Sequence, residues 1–84
     1  MFSWSTPVDF NTLAVVNARL SRTREAFHEA LIVERETLAI CSRLPVESPD
    51  RKLIQIAHEQ VLETAHEYDE AVDEFAAFRV KLAH

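Results

Sequence analysis

Fourteen acidic residues and four histidines are the side chains in this 84-residue chain best able to hold a metal. Glu63 and His66 stand three apart in IAHEQVLETAH, residues 56 to 66, within a stretch that reads as helix. Glu-x-x-His is the spacing by which helical bundles hold carboxylate-bridged metal pairs, because side chains three apart leave a helix on one face. Such a site also needs a lone Glu from another helix. Glu34 is the natural choice, since it interrupts an apolar stripe between Leu31 and Leu38. His58 lies close by, at the edge of the second helix's apolar face. The spacing arises cheaply, however: Glu25 and His28 form a second copy.

Two long helices must position these residues. Thr6 is a cap, Pro7 suits the first helical position, and Asp9 falls in the first turn. Nothing interrupts the pattern from there to about residue 43. LPVESPD is the turn signal, after which Ser48 caps a second helix opened by Pro49 and Asp50. The expected division is helix at about 7–43, turn at 44–48 and helix at about 49–82, all in one domain spanning 1–84. The short connection makes the helices antiparallel neighbours.

At about 100° per residue, Leu13, Val16, Leu20, Phe27, Leu31, Leu38 and Cys41 share one stripe of the first helix. Ile54, Val61, Tyr68, Val72, Phe75 and Leu82 do so on the second. The near-heptad spacing predicts a coiled-coil-like pairing at a shallow angle. A second stripe on the first helix, Val8, Val15, Ala26, Val33, Ile40 and Leu44, cannot be covered by the same partner. It predicts a further interface: a homodimer closing a four-helix bundle, or another helical protein. The same folding sets Arg19, Arg22 and Arg24 opposite the acidic run from Asp69 to Glu74.

Composition narrows the classes. There is no glycine, so tight hairpin turns and phosphate-cradling loops are excluded. The net charge of −5 disfavours nucleic acid and anionic membrane as partners. One cysteine, Cys41, permits no internal disulfide, and a reducing, cytoplasmic setting is expected. Cys41 reads as a small core residue rather than a nucleophile. No catalytic triad is legible in two helices without an elbow or oxyanion loop. MFSWSTPVDF does not read as a secretory signal. Phe2 and Trp4 are expected either to cover the open end near Val80 and Leu82 or to anchor a partner.

With Glu34 and the stretch from Ile54 to His66, the chain resembles the encapsulated ferritins, whose two-helix protomers create an iron site on dimerising. The resemblance implies Glu34, Glu63 and His66 as iron ligands, with His58 beside them. On the helical wheel, though, Glu63 and His66 fall about 140–160° from the middle of the second helix's apolar stripe. They join the acidic face of Glu59, Glu70, Asp73 and Glu74, which serves as a metal site only if that face is an interface. The competing account of Glu34 is a hydrogen bond to His58 across the hairpin, and exposure at a gap in the stripe is a third. The favoured function is a non-enzymatic helical assembly or adaptor module without a cofactor. The alternatives are a ferritin-like protein with iron or another divalent metal, an acidic inhibitor, and a small secretion-system subunit or chaperone, the last by architecture alone.

Overall fold

The computed structural model describes residues 7–83, and the side chains of residues 10–81 within them. Helix α1 runs Pro7–Cys41 and helix α2 runs Lys52–Ala83, joined through a turn of 3₁₀ helix at Pro49–Arg51. The helices pack side by side as an antiparallel hairpin about 70 Å long and 15 Å across. No strand occurs among the described residues. Ala, Leu, Glu and Arg are abundant and glycine is absent, so nothing within either helix opposes its propagation. The expected cap at Thr6 and the placements of Phe2, Trp4 and the side chains of Val8 and Leu82 lie outside the described residues.

The turn is built without glycine. Helix α1 ends two residues earlier than expected by tightening: Arg43 N donates to Ile40 O and Leu44 N to Cys41 O, at 3.3 and 3.0 Å. The carbonyls left over at a helix end need donors. Arg51 reaches back from the far side of the turn, its Nη1 donating to Leu44 O at 3.0 Å and, as a second donor, to Cys41 O at 3.3 Å. A guanidinium does here what a left-handed glycine commonly does. On the other side Ser48 is the N-cap, accepting from Asp50 N at 3.3 Å, and Pro49 follows at the first position. The first turn of the second segment is therefore 3₁₀, and the α-helix begins at Lys52.

The seam between the helices follows a strict heptad. On α1 the buried or half-buried positions include Leu13, Val16, Leu20, Thr23, Phe27, Ala30, Glu34, Thr37 and Cys41. On α2 they include Ile54, Ala57, Val61, Thr64, Tyr68, Ala71, Phe75 and Phe78. Alternating steps of three and four keep one line of each helix against the other. Ala71 is fully buried, and Phe27 and Tyr68 stack with ring centres 6.0 Å apart. Thr23 and Thr64 turn their hydroxyls back onto their own helices, donating to Arg19 O and Gln60 O at 2.8 Å. Seam hydroxyls are thus satisfied without a cross-helix partner.

Three expected stripe members are displaced. Leu31, Leu38 and Val72 are exposed, while Ala30, Thr37 and Ala71 take the seam beside them. The cause is rotation of whole helices. Leu13, Leu20 and Phe27, facing Tyr68, Phe75 and Phe78, offer the most apolar surface to bury, and this sets how α1 is turned. A stiff helix carries that rotation onward, so positions 30, 34 and 37 enter the seam whatever occupies them. Leu44 also departs from the second stripe: it lies beyond the end of α1, half-buried in the turn.

Candidate functional site

The candidate ligands separate into two places. Glu34 occupies a seam position two turns from the end of α1, where its Oε2 meets His58 Nδ1 at 2.7 Å. The Glu34 side chain is 21% exposed and that of His58 is 57% exposed, so the pair forms at the rim of the seam. This is the cross-hairpin contact that the antiparallel register predicts. Glu63 and His66 are both exposed, and His66 Nε2 lies 3.2 Å from Glu70 Oε2 one turn on. Glu63 thus shares a helix with His66, whereas Glu34 is held by His58 instead. Among the described residues, no three His, Cys, Asp or Glu side chains gather as a group able to hold a metal ion.

Cys41 is buried at the turn end, its Sγ 3.7 Å from Asp50 O. Arg19 reaches across the helices, with Nη1 2.7 Å from Glu74 Oε1 and Nη2 3.8 Å from Glu70 Oε1. Those carboxylates and the guanidinium are more than a third exposed, so the contacts set register more than they add stability.

What the hairpin presents outward differs along its length. Of the candidate interface residues, Val15, Val33 and Ile40 are exposed at 68%, 48% and 66%. The same part of the hairpin leaves further side chains uncovered that the second stripe did not include, on both flanks of the seam: Leu31, Ile32, Leu38, Leu53, Ile56 and Leu62. All belong to the part next to the turn, residues 30–62, hereafter the tip. A shallow groove runs along one flank of the seam at the base of the tip, lined by Ala26, Glu29, Ala30 and Val33 of α1 and Ala57, Gln60 and Thr64 of α2. Small side chains at the seam leave it open. Ile40 and Leu53 repeat Val33 and Gln60 at heptad spacing, so they continue the same flank toward the turn. A signal for this face existed in the sequence: Ala30, Thr37, Ala57 and Thr64 already complete the heptad if small and hydroxyl residues are admitted to a seam.

Charge divides the same way. The tip carries four Lys or Arg and five Asp or Glu, a net of −1, and the rest of the chain carries five and nine, a net of −4. No described helix is long and apolar enough to cross a membrane. Comparison with protein-family models, with curated proteins and with solved structures returns no match to this chain.

Proposed function

We propose that this protein is a non-enzymatic helical assembly module, a hairpin that associates with a second copy to close a four-helix bundle through its tip. The observation that carries this reading is the large apolar surface left outside the seam at the tip. There the seam holds Ala30, Glu34, Thr37 and Ala57 beside Cys41, Ile54 and Val61, while Val33, Ile40, Leu53 and Ile56 are left in water. Burying apolar surface is worth about 25 cal/mol per Å². A thin two-helix core in a short chain leaves much of that stabilisation unrealised until another surface arrives. The long, shallowly paired helices favour a helical partner, since an added pair extends the same seven-residue packing.

Light scattering after gel filtration tests the proposal. One chain is 9.6 kDa, so the expected particle at micromolar concentration is about 19 kDa, dissociating on dilution. A particle that keeps the single-chain mass up to about 200 μM, against the micromolar association ordinary for specific complexes, would sink it.

A further inference from the structure

Resting on that reading, we infer that the two copies meet tip to tip in opposite directions, overlapping by about half, with their acidic open halves projecting from the two ends. Three registers can be compared. If the copies lie parallel and fully overlapped, the tips meet but so do the open halves, each with a net charge of −4. Like charges brought into contact along a helix oppose association. If they lie antiparallel and fully overlapped, Val33 and Ile40 of one copy meet the acidic half of the other, where Glu70 and Glu74 are paired with Arg19 but Glu63 and Glu67 have no ion pair among the described residues. Carboxylates buried on an apolar flank without partners are strongly unfavourable.

The half-overlapped antiparallel register avoids both conflicts. It mates two tips of net −1 and places the acidic arms well beyond the roughly 8 Å over which charges act at physiological salt. The groove flank of each tip then receives the other's, with Ile40, Leu53 and Ile56 as the apolar contacts. The mating area is that of a weak association. Residues 30 to 41 of α1 rise about 17 Å, so with the turn the tip is under about 30 Å long, about 400 Å² of a 15 Å-wide face per copy and about 800 Å² for the pair. That is the size of a transient interface, in keeping with dissociation on dilution.

Small-angle scattering of the wild-type dimer reads the register directly. Two hairpins of 70 Å overlapped by half span about 105 Å, whereas either fully overlapped form spans about 70 Å. The second measurement compares Ile40→Glu with Val15→Glu, both at exposed positions and both checked for helicity by circular dichroism. Ile40→Glu is expected to raise the dimer dissociation constant about tenfold or more, and Val15→Glu to change it less than about threefold. A 70 Å dimer, or a Val15→Glu effect equal to that of Ile40→Glu, overturns this register while leaving self-association standing. A wild-type chain that stays monomeric overturns both.

Discussion

Outside the tip, Phe27 stacks on Tyr68 inside the seam at the middle of the hairpin, and Arg19 reaches Glu74 outside it farther from the turn. In the half next to the turn, Ala30 and Glu34 hold the seam while Val33 and Ile40 lie outside. The open half has its largest apolar layers inside and most of the charge outside, with Phe10, Val15, Val72 and Val80 also exposed there. The tip leaves more of its apolar side chains in water. One rigid pair of helices cannot rotate its halves separately, so the half with the larger layers sets the rotation and the other half bears the consequence. Where a hairpin has a strong end and a weak end, exposed apolar surface collects at the weak end, and this is where a partner gains most.

Four substitutions would break or sharpen that comparison. The largest effect is expected from the strong end. Phe27→Ala should cost about 2–3 kcal/mol in urea denaturation, somewhat below a fully buried Phe because the ring is only half-buried. A loss below about 1 kcal/mol would deny the open half its role in setting the rotation. Ala71→Leu at the fully buried seam position should cost about 1–3 kcal/mol by overpacking. Retained stability there would mean that the helices can move apart, and the strict heptad account would fail.

The turn and the tip seam give smaller effects. Arg51→Ala should cost about 1–2 kcal/mol, since the Cys41 and Leu44 carbonyls lose a charged donor. An unchanged unfolding midpoint would show that water replaces the guanidinium at no cost. Glu34→Leu should stabilise by up to about 1 kcal/mol, because the weak end gains an apolar layer in place of a rim ion pair. A loss of stability instead would show that the contact with His58 outweighs the apolar layer. The thermal midpoint of that variant, with its mass in solution, reads both consequences together.

Much of the architecture was legible in the residues. Pro7, Pro45 and Pro49 bracket the elements, Ser48 announces its cap, and the absence of glycine excludes competing turns. The Glu34–His58 contact follows from register counting across the turn, because both helices are long and the connection short. The exact seam was less legible. Counting only large apolar residues draws Leu31 and Leu38 inward, whereas the packing accepts Ala30 and Thr37 because small side chains let two helices lie close. Arg51 as the donor to α1 was not legible at all, since it acts across a turn whose path is known only once folded.

The sequence by itself therefore determined two helices, their antiparallel order and the uneven distribution of charge, since propensity, capping residues and a proline-bounded turn are local properties. Only the tertiary structure decided which face of α1 is inner and which is outer. That choice is made jointly by all the layers at once, and here the aromatic layers far from the turn settled it for the residues near the turn.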